Sequence, residues 1–171
     1  GARISLKICI AAMGLSVFVG VVLGIMAGYY GGIVDDLISW LINVLYAFPF
    51  LLFIIAVVAF LPPSLILTFS AISLVYWMPI ARVVRGQVFS IKEKEYVLAA
   101  RAVGVSDFKI MFKHILPNVI APVIVQATLG MGTVIMVEAA LTYLGFGTQP
   151  PTPSWGYMIS SGQGYLASGE W

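Results

Sequence analysis

The residues that could do chemistry in this chain are few, and two of them stand inside a long apolar run. Glu138 is ionisable and Gln126 is polar, and both lie in a stretch long enough to cross a membrane. An ionisable residue in a span is a functional candidate by default, because burying its charge in lipid is costly. At about 1.5 Å per residue, Glu138 falls near one end of the stretch. This position favours a structural role, and a role for Gln126 and Glu138 in a polar pathway stays open.

The remaining reactive side chains predict neither catalysis nor metal binding. His114 is the single histidine and Cys9 the single cysteine, so an internal disulfide is excluded and a thiolate metal site is disfavoured. The sequence has no HExxH motif, no supported Ser-His-Asp set and no phosphate-binding loop of the Walker type. We therefore expect no catalytic residue, no metal and no cofactor.

The composition is that of an integral membrane protein. Hydrophobic residues make up 61% of the chain and charged residues 9%, whereas soluble domains carry roughly 25% charged residues. Apolar runs of about 20 residues predict an all-α, polytopic helical membrane domain. Its four spans cover about residues 6–28, 34–60, 65–84 and 119–144.

Proline and glycine mark special points in these spans. Pro49 should kink the second span, because proline removes a helical hydrogen bond. Pro62 and Pro63 predict a turn before the third span. The first span carries Gly14, Gly20, Gly24 and Gly28, and the last three are spaced four residues apart. This spacing either allows close helix packing or only reflects how common glycine is in spans.

A polar interval, residues 90–117, separates the third and fourth predicted spans. Ser90 and Glu93 have the spacing of a capping box, which predicts a helix start at Ser90. Gly104 suits the left-handed position that follows a helix end. One face of the helix between them carries mostly small residues, which would let another backbone approach closely: Tyr96, Ala99, Ala100 and Val103.

A second short helix should complete the polar interval. Ser106 and Asp107 can cap it. Pro117 should interrupt the hydrogen bonding before the fourth span. The apolar stripe of this helix consists of Phe108, Met111, Phe112 and Ile115.

The basic residues predict the orientation in the membrane. Only Arg3 and Lys7 lie away from the region between the third and fourth spans, so the positive-inside rule places the polar interval in the cytoplasm. A lipid-headgroup patch is the alternative, and the acids Glu93, Glu95 and Asp107 argue against it. The basic residues of this region are Arg82, Arg85, Lys92, Lys94, Arg101, Lys109 and Lys113.

By alternation, the last segment, residues 145–171, faces outside. It is too polar to span and too rich in Gly, Pro and Ser for a long helix. Its aromatic residues favour an ordered interfacial loop.

The polar interval resembles the cytoplasmic loop motif of permease subunits in binding-protein-dependent ABC importers. That motif reads Glu-Ala-Ala, three residues, Gly, nine residues, Ile, one residue, Leu-Pro. Leu98-Ala99-Ala100, Gly104 and Leu116-Pro117 match this spacing, whereas Leu98 replaces the motif's Glu and His114 its Ile. In the dipeptide, oligopeptide and nickel branch the acid stands three residues earlier, as Glu95 does here. The segments EYVLAARAVGVSDFKIMFKHILPN and QPPTPSWG also resemble that branch.

The resemblance implies a type I transmembrane domain of a C-type subunit, with four of about six spans in this chain and one missing at each end. The partners implied are a second permease subunit, two ATPase subunits, an external substrate-binding protein and membrane lipid, without nucleic acid. The location implied is the cytoplasmic (inner) membrane of a bacterium or archaeon. The substrate implied is a peptide first and nickel next. The residues implied to couple to the ATPase are Glu95, Tyr96, Ala99, Ala100, Arg101, Val103, Gly104 and Asp107.

Two other function classes fit the sequence less well. A stand-alone secondary transporter or channel would need polar groups near the midplane of several spans, and this sequence supplies few. An intramembrane enzyme would need a nucleophile and base, or a metal set, within the spans. We therefore predict a non-catalytic transport subunit whose ATP is hydrolysed by separate proteins.

Overall fold

The computed structural model describes residues 1–60, 64–147 and 151–169, and its regular structure there is helical. Long apolar segments become helices because a helix satisfies its own backbone N–H and C=O groups, as lipid requires. The helices are α1 (Ala2–Tyr30), α2 (Gly32–Tyr46), α3 (Phe50–Ala59), α4 (Leu65–Ile91), α5 (Glu95–Ala102), α6 (Asp107–Ile110), α7 (Leu116–Tyr143) and α8 (Trp155–Ser168). A π-helical turn, Met111–Ile115, joins α6 to α7.

Among the described residues, three helical segments are long and apolar enough to cross a membrane. They are Ala2–Tyr30, Ile66–Ile91 and Asp107–Tyr143, and there are four crossings if the broken pair α2 and α3 counts as one. The predicted all-α membrane fold class is confirmed. The expected turn at Pro62 and Pro63 lies outside the described residues.

The chain forms two compact units. The first comprises Gly1–Leu15, Phe48–Val75 and Gly130–Trp171, and the second comprises Ser16–Ala47 and Tyr76–Leu129. Helices α1, α4 and α7 each contribute residues to both units. The polar interval therefore belongs wholly to the second unit, and Glu138 belongs to the first.

In the second unit α1 packs against α4 through three glycines. A Cβ atom added at Gly20, Gly24 or Gly28 would lie 2.6–2.8 Å from atoms of α4, with Ile80, Val84 and Val88 as the respective neighbours. The glycine spacing therefore serves close helix packing. Dispersion contacts drive such packing in lipid, where apolar burial gives no advantage. Gly14, by contrast, has nothing within 4 Å of an added Cβ.

The second predicted span is two helices rather than one kinked helix. Helix α2 ends at Tyr46, and α3 begins at Phe50 with Pro49 as its N-cap. Pro49 has φ −57° and ψ 114°, and its carbonyl accepts the first hydrogen bond of α3 from the N–H of Phe53 at 3.0 Å. Proline thus precedes a helix here, because the N–H of an N-cap residue takes no part in the hydrogen bonds of the helix.

The predicted capping box at Ser90 and Glu93 is wrong. Helix α4 continues to Ile91, and α5 begins at Glu95 with Lys94 as its N-cap. Val88 and Ile91 are buried, and the N–H of Lys92 still donates to the carbonyl of Val88 at 2.9 Å. Packing of these apolar residues extends α4 by about two turns beyond the expected limit of the third span.

The second helix of the polar interval is not separate from the fourth span. Ser106 is the N-cap of α6 as predicted, but its side chain makes no capping hydrogen bond. The irregularity lies in the π turn Met111–Ile115, before Pro117, and α7 continues through Pro117 and Pro122. Proline cannot donate to the preceding turn, and the π turn directly before Pro117 is where the helix departs from the regular hydrogen-bond pattern.

The last segment contains a helix where a loop was expected. Ser154 is the N-cap of α8, and its hydroxyl accepts a hydrogen bond from the N–H of Tyr157 at 3.2 Å. Gly156 packs against Ala139 and Thr142 of α7, leaving no room for a side chain. The cap and this contact outweigh the low helix propensity of the Gly- and Ser-rich sequence.

We predict that Gly24→Ala destabilises the full-length subunit by about 1–3 kcal/mol through overpacking. The added Cβ would lie 2.7 Å from the Ala81 carbonyl oxygen, which is backbone and cannot move aside cheaply. Gly14→Ala is the matched control, and it should be neutral or stabilising by up to about 1 kcal/mol. Thermal unfolding in detergent measures both, and equal shifts would contradict the packing account.

Candidate functional site

Helix α5 presents its small-residue face outward. Val97 is fully buried, whereas Tyr96 is 41% and Val103 80% exposed. Ala99 is exposed and Ala100 half-buried. Tyr96, Ala99 and Val103 therefore lie on the uncovered side of the helix. Ala100 lies at the edge of this face, because it is three residues after the buried Val97. A short rigid helix with such a face can receive another backbone at close range.

The C-terminal end of α5 is a Schellman motif. Gly104 has φ +80°, as the sequence predicts for the residue after the helix. The N–H of Val105 donates to the carbonyl of Ala100 at 3.1 Å, and the N–H of Gly104 donates to that of Arg101 at 3.0 Å. These two bonds satisfy the last carbonyls of α5 and turn the chain sharply.

The start of α5 is held by the backbone. The carbonyl of Lys94 accepts hydrogen bonds from the N–H groups of Val97 at 2.9 Å and Leu98 at 3.1 Å. Glu95 is exposed in the first turn. Its negative charge is favourable there, because the unpaired N–H groups make a helix start electropositive.

Two of the predicted coupling residues contact α1 in the second unit. The hydroxyl of Tyr29 donates to Oδ1 of Asp107 at 2.5 Å. The guanidinium of Arg101 lies over the Tyr29 ring, 5.3 Å from its centroid. Hydrogen bonding with Tyr29, together with the charge of Asp107, raises the pKa of Arg101 above its ordinary value, so Arg101 is charged at every physiological pH.

Further polar contacts surround the end of α1. Nζ of Lys92 donates to the carbonyl of Gly28 at 2.9 Å, which satisfies a carbonyl of the last helical turn. Arg85 forms a two-pronged ion pair with Asp35, and one of its hydrogen bonds, from Nη2 to Oδ2, measures 2.6 Å. Arg85 and Lys92 flank the Phe89 ring at 4.8 Å and 4.6 Å from its centroid.

Sequence reasoning missed these contacts for a physical reason. Asp35 lies in the first turn of α2, where an acid already has a local explanation, because it suits the electropositive start of a helix. Asp35 and Arg85 are 50 residues apart along the chain, so no local spacing signals their pairing. The sequence offered only a weak hint, an acid at the edge of one apolar run and two arginines, Arg82 and Arg85, at the end of another.

His114, the departure from the motif, lies inside the π turn. Its ring is 6.4 Å from that of Tyr96, between centroids, and its carbonyl accepts a hydrogen bond from Nδ2 of Asn118 at 2.7 Å. The side chain is half-buried. His114 therefore packs beside the face of α5 as part of the structure of the polar interval.

Glu138 is the centre of a buried polar cluster in the first unit. Its side chain is fully buried, and it accepts hydrogen bonds from the hydroxyls of Ser5 at 2.9 Å and Thr142 at 3.0 Å. The Ser5 hydroxyl in turn accepts from the N–H of Trp155 at 3.3 Å. The cluster thus fastens α1, α7 and the start of α8 together. Gln126 is half-buried and belongs to the second unit.

One protein family matches most of the chain. Residues 20–169 match the model of the binding-protein-dependent transport system inner membrane component. The chain belongs to this family. The match includes the whole polar interval, α7 and the described part of α8.

The curated relatives of the chain include proteins named as dipeptide and oligopeptide permeases. Over all 171 residues the chain is 46% identical to the dipeptide transport system permease protein DppC of Alkalihalophilus pseudofirmus, covering 56% of that protein. It is 41% identical to DppC of Bacillus subtilis, covering 53%. It is 42% identical to the oligopeptide transport system permease protein OppC of Escherichia coli K12, covering 57%. The chain therefore spans about half the length of the curated relatives it matches.

We predict that Glu138→Ala destabilises the full-length subunit by about 2–4 kcal/mol, because it leaves a cavity and two buried hydroxyls without their acceptor. Thr128→Ala is the control on the same helix, since Thr128 is exposed and its hydroxyl only donates to the carbonyl of Ile124. That control should stay within about 0.5 kcal/mol. Thermal unfolding measures both variants, and a neutral Glu138→Ala would refute the fastening role.

Proposed function

We propose that the full-length protein is a permease subunit of an ATP-driven, binding-protein-dependent importer. It forms half of a translocation pathway with a second permease subunit, and α5 docks into a groove on an ATPase subunit. The observation that carries this proposal is the uncovered face of α5, which ends at the left-handed Gly104, in a chain that belongs to this family. ATP hydrolysis takes place on the partner ATPases, and a separate binding protein delivers the solute.

The proposed mechanism is a lever. Helix α5 is short, is closed by its own Schellman bonds and continues into long helices on either side. Closure of the ATPase subunits displaces α5 as a rigid body, and the attached helices α4 and α7 follow. Tyr96, Ala99 and Val103 form the docking face with Ala100 at its edge. Glu95 lies at the rim, where a charge sets register more than affinity.

Membrane location and orientation belong to the same proposal. The protein lies in the cytoplasmic membrane of a prokaryote, with the polar interval in the cytoplasm and residues 145–171 outside. The clustering of basic residues around the polar interval supports this orientation. A role for Gln126 or Glu138 in lining the translocation pathway is a secondary part of this proposal. For Glu138 the reason is that its side chain is fully buried and already accepts two hydrogen bonds.

A peptide is the proposed substrate, with nickel second. The support is that the relatives are named as dipeptide and oligopeptide permeases. Uptake of a labelled dipeptide, measured with and without unlabelled oligopeptide or nickel as competitor, ranks these candidates. Competition by nickel alone would overturn the peptide assignment.

We expect Ala100→Cys to cross-link to a cysteine in the groove of the partner ATPase, with a yield that changes when ATP is added. The variant is made in the full-length subunit with Cys9→Ser. This second change removes the one cysteine of the 171-residue sequence, so that a cross-link from this region must come from position 100. Ser90→Cys is the control, because Ser90 is exposed but lies at the end of α4, off the face. If the cysteine at position 100 reacts with soluble thiol reagents but never cross-links to an ATPase, the docking proposal is wrong.

We also expect Gly104→Val to abolish most transport while leaving membrane insertion intact. A β-branched residue at φ +80° is strained by about 1–3 kcal/mol, so the corner after α5 must move. Gly86→Val is the matched control, because Gly86 lies within a helix and has nothing within 4 Å of an added Cβ. Full transport activity in Gly104→Val would count against the lever.

A further inference from the structure

Three residues of the segment that joins α4 to α7 contact the last turn of α1. Lys92 precedes α5 and reaches the carbonyl of Gly28. Arg101 lies in α5 and covers the Tyr29 ring, and Asp107 follows α5 and accepts the Tyr29 hydrogen bond. A connector that only had to link two helices would not need to be held before, within and after α5.

The hydrogen bond between Tyr29 and Asp107 is well placed to transmit a displacement of α5 to α1. Tyr29 is only 7% exposed, and its hydroxyl bond to a carboxylate is short, at 2.5 Å. Hydrogen bonds to ionised acceptors are among the strong ones. In addition, α1 is packed closely on α4 one turn earlier at Gly24 and again at Gly28, so its end is stiffly supported.

The two residues after α1 form the turn from α1 into α2. Gly31 and Gly32 follow α1 with φ +65° and +50°, a conformation that favours glycine. Gly31 connects α1 to α2, whose first residue is Gly32, and α2 is bound to α4 through Asp35 and Arg85. The end of α1 is therefore a junction between the polar interval and α2, in addition to the covalent links of the polar interval to α4 and α7.

We infer that Tyr29 is a positioning residue that transmits displacement of α5 to α1 through its hydrogen bond with Asp107 and its contact with Arg101. This inference rests on the proposed function. It assigns Arg101 and Asp107 to the internal side of the lever, facing α1, and leaves the outward face of α5 to the ATPase. Without the Tyr29 contact, α5 still docks and moves, but α1 no longer follows.

The test is Tyr29→Phe in the full-length subunit, assembled with its partner subunits and ATPases. Phenylalanine keeps the ring under Arg101 and removes only the hydroxyl that binds Asp107. We expect the ATP hydrolysed per solute imported to rise about tenfold, the factor implied by loss of a hydrogen bond to a charged group. The Ala100→Cys cross-link to the ATPase should persist, since docking is unaffected.

Matched variants isolate the hydrogen bond. Tyr30→Phe deletes the same atom from the neighbouring tyrosine, which is 52% exposed, and should leave the ratio at the wild-type value. Asp107→Asn keeps a carbonyl acceptor for Tyr29 and should retain most coupling, whereas Asp107→Ala should behave like Tyr29→Phe. The double variant Tyr29→Phe, Asp107→Ala should be no worse than either single variant, because both remove one shared interaction.

The outcomes separate this inference from the proposed function. An unchanged ratio in Tyr29→Phe overturns the inference, and so does a parallel fall in transport and hydrolysis, since that pattern means only less folded complex. Loss of the cross-link together with transport would also overturn it, because Tyr29 would then serve docking alone. If the wild-type complex shows no ATP-dependent uptake, the proposed function itself fails, independently of any Tyr29 variant.

Discussion

The close approach of α1 to α4 is the constraint on which the second unit depends. At Gly20, Gly24 and Gly28 the α1 backbone lies against Ile80, Val84 and Val88 with no space for a methyl group. In lipid this contact replaces the hydrophobic core of a soluble protein, because helices there are held by packing and hydrogen bonds. It also sets where α1 ends relative to the polar interval. Tyr29, which binds Asp107, directly follows Gly28, so the close packing and this hydrogen bond lie in the same helical turn.

Around this packed pair, polar contacts are concentrated where the helices end. Asp35 with Arg85, Lys92 with the Gly28 carbonyl, and Tyr29 with Asp107 all lie at or near helix termini. Helix ends have unpaired backbone groups, so charged side chains are useful there and costly in the middle of a span. The first unit follows the same logic with Glu138, whose carboxyl group is satisfied by two hydroxyls. The outward face of α5 differs from all these regions, since it remains uncovered.

Proline and glycine behaved less simply than local rules suggest. Pro49 starts a helix instead of kinking one, and Pro117 and Pro122 lie within a continuous α7. Helix α8 forms in a Gly- and Ser-rich segment because Ser154 caps it and Gly156 packs against α7. Pro49 stands just before a helix and Pro117 follows a π turn. In α8 the cap and the packing contact outweigh the intrinsic propensity cost, which is roughly 1 kcal/mol for glycine. Helix boundaries were therefore the least predictable feature, and Ser90 with Glu93 illustrates it.

The sequence by itself determined the membrane fold class, the family, the outward small-residue face of α5 and the left-handed turn at Gly104. Each of these depends on composition or on residues within a few positions of one another, which is the range over which helix geometry acts. Only the tertiary structure decided that Asp35 pairs with Arg85, that Glu138 binds Ser5 and Thr142, and that Tyr29 meets Asp107. Those partners, apart from Thr142, are tens of residues away, and no local pattern selects one distant polar group over another. Close packing of the helices makes that selection, because it decides which distant polar groups come within hydrogen-bond reach of each buried side chain.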